Sequence, residues 1–356
     1  MLLRKMTPLV RSVVVLIATA VAALDVVADT LTWAGSAAGG VWEDPANWAA
    51  VGAAQLQDFR RQEGETDDSG RLQRAVDATR GGILYVPMGS YRIASTVTVS
   101  NGCALALHQN ARLVAAADMD YVLRIANGGG TSRDCGDFIA GGVIDGRGRA
   151  GCLSVDGCWT LRIEGVRLLD PKTCGLHVAS GGTRVLAKGI RVLTQTKGLG
   201  GNTGLFLEGD NGHYADIDVR ECTTGVRIGG AANRLAGIRT KGGSRTEMLD
   251  GSTGFRIEGP GTILRECDVD TRSVGFDVRA AGETRLLGCA WRCKAGVGLD
   301  DVVIVRRSGA DGSLLVSDGV FTRASAQQVR VCDGSGEVRW RDILYAGDWS
   351  GVALPE

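Results

Sequence analysis

Glu208, Asp210, Glu258 and Asp277 are carboxylates, and His177, Lys172, Arg227 and Arg256 are bases or cations, all lying in or beside a recurring glycine-led triplet. Two carboxyl groups flanking a glycosidic bond can hydrolyse it, one as acid and the other as base or nucleophile. Elimination from a uronic acid needs a base for the proton beside the carboxylate, and cations or a metal to hold the charge that develops. Phe206 adds an aromatic face on which a sugar ring would stack.

These side chains share a surface only if the segments carrying them stack. A glycine followed by an apolar, any, apolar triplet occurs at Gly175-Leu-His-Val178, Gly204-Leu-Phe-Leu207, Gly225-Val-Arg-Ile228, Gly254-Phe-Arg-Ile257, Gly275-Phe-Asp-Val278 and Gly296-Val-Gly-Leu299. Leu153-Ser-Val155 is a looser earlier copy. The glycine spacings are 29, 21, 29, 21 and 21 residues, the range of stacked supersecondary units. Between copies, residues 160–169, 183–193 and 262–269 alternate with period two, the mark of a strand with one face in a core. No unit buries its apolar face alone, so a parallel coil is predicted. Its interior takes Leu176, Leu205, Val226, Phe255 and Phe276 as one file. Outside, one column reads Ser154, His177, Phe206, Arg227, Arg256 and Asp277, and the next reads Ala179, Glu208, Gly229, Glu258, Arg279 and Asp300. The repeat glycine fits a corner with a tight turn or positive φ. Residues 194–203 and 241–253 lengthen two units at one corner, where they would wall the column on either side, and Asp170-Pro-Lys-Thr173 sits at that corner one unit earlier.

Composition agrees with many short strands and tight turns: 53 glycines, 6 prolines and 22% charged residues. Lys plus Arg and Asp plus Glu cancel at 40 each, so no basic field draws the chain to nucleic acid. Ten cysteines fit a stacked internal column as readily as a disulfide framework, and with no C-x-x-C pair and three histidines no zinc site is expected. Residues 1–28 have the layout of a signal peptide, with an uncleaved anchor as the competing reading because Asp25 weakens the exit. This layout predicts a secreted, periplasmic or cell-surface protein, with no membrane span after signal removal. Residues 29–55 form a tryptophan-containing lead-in and linker, and 56–356 the coil. The oligomeric state stays open.

At the front, Asp67-Asp-Ser-Gly70 precedes Leu72, Ala75, Val76 and Ala78, predicting an amphipathic helix with carboxylates capping its N-terminus and its body laid over the open end of the coil. Two strands come next, at 83–86 and 91–93. The stretch from Thr66 to Ala78 and then Gly81-Gly-Ile-Leu-Tyr-Val-Pro-Met-Gly-Ser-Tyr-Arg-Ile93 resembles the opening signature of the pectate-lyase superfamily, in its rhamnogalacturonase and epimerase-like branch. Gly142-Val-Ile-Asp-Gly-Arg-Gly148 is similar to the next rung of polygalacturonases, although Asp145 there reads as a turn former. The resemblance implies an all-β, single-stranded right-handed parallel β-helix of pectin-lyase type with an N-terminal capping helix. It also implies a polysaccharide partner, although phage tail spikes carry the same opening.

The family's active sites do not carry over whole. Asn202-Thr-Gly204 lacks the aspartate of a polygalacturonase block, Asp300-Asp301 lies far downstream, and Gly212-His213 is out of order. Asp170-Pro171 matches the start of the mannuronan epimerase motif, but Lys172 departs from it and His177 is displaced. Tryptophans 33, 42 and 48 sit in a motif that resembles bacterial surface passenger proteins. Two functions are therefore expected: a glycoside hydrolase or polysaccharide lyase acting on an acidic or plant-type glycan, or a non-catalytic carbohydrate-binding adhesin. No cofactor is expected, with calcium (Ca2+) an option if the reaction is elimination.

Overall fold

A computed structural model of the chain describes residues 31–33, 48–50, 54–100, 102–126, 138–196, 199–242, 252–270, 273–293, 301–302, 306–307, 313–323, 329–330, 333–334, 337–347, 349–350 and 352–354. The backbone separates into two units, 1–53 and 54–356. In the first, Leu31–Trp33 pairs antiparallel with Trp48–Ala50. The segment 1–28 and most of the tryptophan lead-in lie outside the described residues, as do Gly296 and Asp300. Among the described residues no helix is long and apolar enough to cross a membrane.

In the second unit the chain visits three sheets in rotation, as in His213–Ala215 of sheet 1, Asp218–Arg220 of sheet 2 and Thr224–Ile228 of sheet 3. The described strands number 12, 11 and 12 in the three sheets, all parallel, which makes a right-handed parallel β-helix. Each strand pairs with its counterpart one rung on. Leu153, Leu176, Leu205, Val226, Phe255 and Phe276 are therefore in register, and all are fully buried. This is the inner file that the alternation required.

The apolar runs at 160–169, 183–193 and 262–269 are each two strands rather than one. A single residue bends the chain between sheets 1 and 2: Gly165, Gly189, Asp216, Gly237, Glu266, Gly288, Asp318 and Asp342 all take the left-handed conformation, with φ from 52 to 65°. That geometry turns the chain without breaking the ladder, because Gly189 N donates to Ala215 O at 3.1 Å and Asp216 N to Ala236 O at 3.0 Å. After six of these corners the next residue is a buried valine, isoleucine or cysteine, namely Val166, Ile190, Ile217, Ile238, Cys267 and Cys289. Cys267 and Cys289 are therefore a stacked pair in this file, and with Cys103, Cys152, Cys174 and Cys222 they are buried thiols; Cys158 is in a disulfide.

The repeat glycines have a different reason from the one expected. Gly175, Gly204, Gly225 and Gly254 are not left-handed. A Cβ on each would stand 2.6 Å from the carbonyl oxygen of the next repeat glycine, and would also strike Val192, Val219, Thr240 or Val269 of sheet 2. Close approach of two rungs excludes the side chain.

The helix Ser69–Ala78 buries Leu72, Ala75 and Val76 over the first rung, as predicted, and Asp67 Oδ1 accepts from Ser69 N at 2.7 Å, but the second carboxylate does another job. Asp68 makes no capping bond to the helix. It pairs instead with Arg61 at 2.7 Å and accepts from Arg92 N at 2.9 Å, while Ser69 Oγ accepts from Ala94 N and Ser95 N. Gln73 accepts from Thr98 N at 2.8 Å and donates to Thr98 O at 2.9 Å. These side chains satisfy the open edges of sheets 2 and 3, which lack a preceding strand.

Gly204→Ala should lower stability by about 1–3 kcal/mol through overpacking. Gly200→Ala, where a Cβ meets nothing within 4 Å, should stay within about 0.5 kcal/mol; equal denaturation midpoints for the two would contradict the close-approach argument. Tyr214 is buried in the coil, its Oη has no partner among the described residues, and burial raises its phenol above the ordinary 10.0. The folded state thus keeps a proton that the unfolded state releases, so this stability is present below pH 10 and lost as pH rises beyond it. Tyr214→Phe should add about 1 kcal/mol at neutral pH and flatten the alkaline loss, as read by thermal melts across the pH range.

Candidate functional site

Register fixes the outer face of sheet 3. Ser154, His177, Phe206, Arg227, Arg256 and Asp277 stand on successive rungs in one column. At a rung spacing of about 4.8 Å, each side chain in the column meets the one above and the one below.

The His177 and Phe206 rings stack at 5.0 Å with an interplanar angle of 8°, and Arg227 Cζ lies 4.5 Å from the centroid of the Phe206 ring. His177 comes from the rung before Phe206 and Arg227 from the rung after, so both faces of the phenyl ring are occupied. The sugar-stacking role expected of Phe206 is corrected accordingly: its faces serve the imidazole and the guanidinium.

His177 is bonded at both nitrogens. Nε2 lies 2.7 Å from Glu208 Oε2 and Nδ1 lies 3.0 Å from Tyr121 Oη. A carboxylate only accepts, which assigns the hydrogen to Nε2 and leaves Nδ1 to accept from the phenol. Tyr121 begins the strand Tyr121–Ala126, two rungs before His177, and its ring crosses the rung between at Gly151. A Cβ on Gly151 would stand 2.5 Å from that ring. Burial raises the Tyr121 phenol above its ordinary value of 10.0, so it holds its proton. Sequence reasoning missed Tyr121 because it keyed on glycine. The triplet Leu123-Arg-Ile125 is a repeat copy without one, and its apolar, any, apolar pattern was the available signal; the structure puts it in register with Leu153-Ser-Val155.

Further along, Arg227 Nε donates to Glu258 at 2.9 Å. Asp277, only 3% exposed, is held by Arg256 at 3.3 Å and Arg279 at 2.7 Å. Between Glu208 and Glu258 the second column has only Gly229, so the two carboxylate-bearing residues flank a position without a side chain, with backbones roughly 9.6 Å apart at two rung spacings. Asp210 and Lys172 are not part of this cluster. Asp210 Oδ1 accepts from Ala231 N at 2.6 Å at the corner towards sheet 1, and Lys172 Nζ is 3.4 Å from Asp118 at the corner into sheet 3. Asp145 forms the expected turn, accepting from Arg147 N at 3.0 Å while pairing with Arg112.

The two insertions leave the coil at one corner, between sheets 2 and 3, and re-enter at Thr203–Leu207 and Thr253–Ile257, bracketing the Arg227 rung along the axis. Residues 197–198 and 243–251 lie outside the described residues. Among the described residues no three His, Cys, Asp or Glu side chains gather as a metal site.

No family model matches the chain. A stretch of 77 residues, 20% of the chain, is 34% identical to alginate lyase 7 of Azotobacter vinelandii and spans 9% of that protein. Among solved structures, the tailspike protein of E. coli bacteriophage HK620 in complex with pentasaccharide superposes with a TM-score of 0.64 at 9% identity, over 91% of this chain and 68% of that one. Endo-xylogalacturonan hydrolase from Aspergillus tubingensis gives 0.53 at 15% identity, over 82% and 93%. PfbA, a surface adhesin of Streptococcus pneumoniae, gives 0.54 at 12% identity, over 85% and 92%. These likenesses establish the right-handed parallel β-helix.

Gly151→Ala should push the Tyr121 ring off its rung, expose the phenol and return its titration towards 10.0. The phenolate absorbance of Gly151→Ala, taken as a difference against its Tyr121→Phe counterpart, reads this directly. An unshifted titration would refute the placement.

Proposed function

We propose that the protein cleaves an acidic polysaccharide by β-elimination on the outer face of sheet 3, with Tyr121 exchanging protons with the sugar. One observation carries the reading: the unbroken hydrogen-bonded series from Tyr121 Oη through His177 to Glu208. Glu208 fixes the imidazole so that Nδ1 takes the phenol proton, the logic by which a carboxylate orients a histidine behind a hydroxyl. The phenol oxygen then removes the proton on the carbon beside the uronate carboxylate. The electron pair left behind forms a carbon–carbon double bond as the bond to the glycosidic oxygen breaks. That oxygen takes its proton from the re-formed phenol, and His177 returns the other proton to Tyr121. Arg227, held by Phe206 and Glu258, supplies fixed positive charge along the column for the charge that develops.

Hydrolysis would need a carboxyl group that donates a proton. The carboxylates of this column are each engaged by His177 or an arginine, whereas the phenol of Tyr121 keeps its proton. The activities named for the Azotobacter protein and the Aspergillus hydrolase support a glycan partner. Residues 1–28, read as an export signal, support action outside the cytoplasm.

Incubated with alginates and pectins, the protein should release unsaturated ends detected by ultraviolet absorbance. Tyr121→Phe should lower kcat by about 10²- to 10⁴-fold with binding retained, and Glu208→Gln should act in the same direction. New reducing ends without the unsaturated signal would replace elimination by hydrolysis. Glycan binding with no product would favour the adhesin reading.

A further inference from the structure

A second concave site lies beside the first rungs of sheet 2. Arg92 is exposed on the strand Gly89–Ile93, with its main-chain N–H fixed by Asp68. Arg147 is exposed in the turn after Asp145, with a left-handed φ of 50°. Arg149 Nη1 donates to Ala116 O at 3.2 Å, which orients its guanidinium and leaves further N–H groups to donate. With Ser90 and a floor of Val114 and Ala115, the three arginines line a space of about 730 Å³.

Among the described residues neither Arg92 nor Arg147 has an ion-pair partner, and three carboxylates nearby are paired with other cations. Asp68 pairs with Arg61 and Arg71, Asp145 with Arg112, and Asp118 with Lys172. Three guanidinium groups around one hollow, without a carboxylate of their own, are complementary to an anion. Their planar forks match carboxylates in particular. The volume falls within the roughly 300–1,000 Å³ of small-molecule sites, ample for sugar rings and generous for a bare inorganic ion. The wall is continuous with the cleavage site, because the chain runs from Arg147 and Arg149 directly to Gly151, on which Tyr121 lies.

We propose that this pocket is a second binding site for an acidic glycan, taking uronate carboxylates away from the point of cleavage. It rests on the acidic-glycan reading of sheet 3. The test is isothermal titration of the full chain carrying Tyr121→Phe, which prevents turnover, with hexamannuronate and hexagalacturonate, neutral cellohexaose, and inorganic sulfate as the free-anion arm. Uronate oligomers should bind, cellohexaose should not, and Arg92→Ala with Arg147→Ala should weaken uronate binding about tenfold or more with the melting temperature unchanged. Unaltered affinity in that double variant, while the Tyr121 parent still cleaves the glycan, overturns the pocket and leaves the cleavage reading standing. Failure of every uronate oligomer to bind overturns both. Sulfate binding that depends on the arginines, with uronate binding that does not, assigns the pocket to a free anion and overturns the glycan assignment.

Discussion

The carbonyl oxygen that each rung presents to the repeat glycine of the rung before it leaves no room for a Cβ, which would stand 2.6 Å away. This approach holds sheets 2 and 3 against each other, since valine or threonine of sheet 2 fills the remaining space beneath each glycine. With that contact in place, each rung can only stack in register. Leu176, Leu205, Val226, Phe255 and Phe276 then form one inner file, and the residues between them form one outer column.

An in-register column confers chemistry as well as shape. Residues far apart in sequence become neighbours at one strand spacing, so imidazole, phenyl and guanidinium groups from three rungs stack as a pile of flat groups. Carboxylates in the adjoining column reach back to them, Glu208 to His177 and Glu258 to Arg227. Most of this charge pairs across rungs and adds little stability for its exposure. The part that stands out is His177, bonded on both sides, to Glu208 at one ring nitrogen and to Tyr121 at the other.

Much of this was legible in the sequence, because period-two alternation and recurring glycines report burial directly. The coil, its inner file, the outer column and the common corner of the two insertions could all be read from Gly175, Gly204, Gly225 and Gly254 and the triplet after each of them. Other features depend on partners one rung away, which spacing does not reveal. Gly189, Asp216 and Glu266 look alike only as left-handed corners. Asp68 looks like a helix cap until Arg92 N is seen beside it. Phe206 looks like a sugar platform until its neighbours cover both faces. Tyr121 was hidden because its rung lacks the glycine that marks the others.

The amide of Gln73 holds both the N–H and the carbonyl of Thr98, so one side chain stands in for a peptide group that the sheet would otherwise seek in another molecule. Asp68 and Ser69 do the same for the edge beside Arg92. An amphipathic segment of ten residues thus works as a stop signal for polymerisation. A stack of identical rungs left unfinished at this end would offer a cross-β template to the next chain, and the helix covers that template.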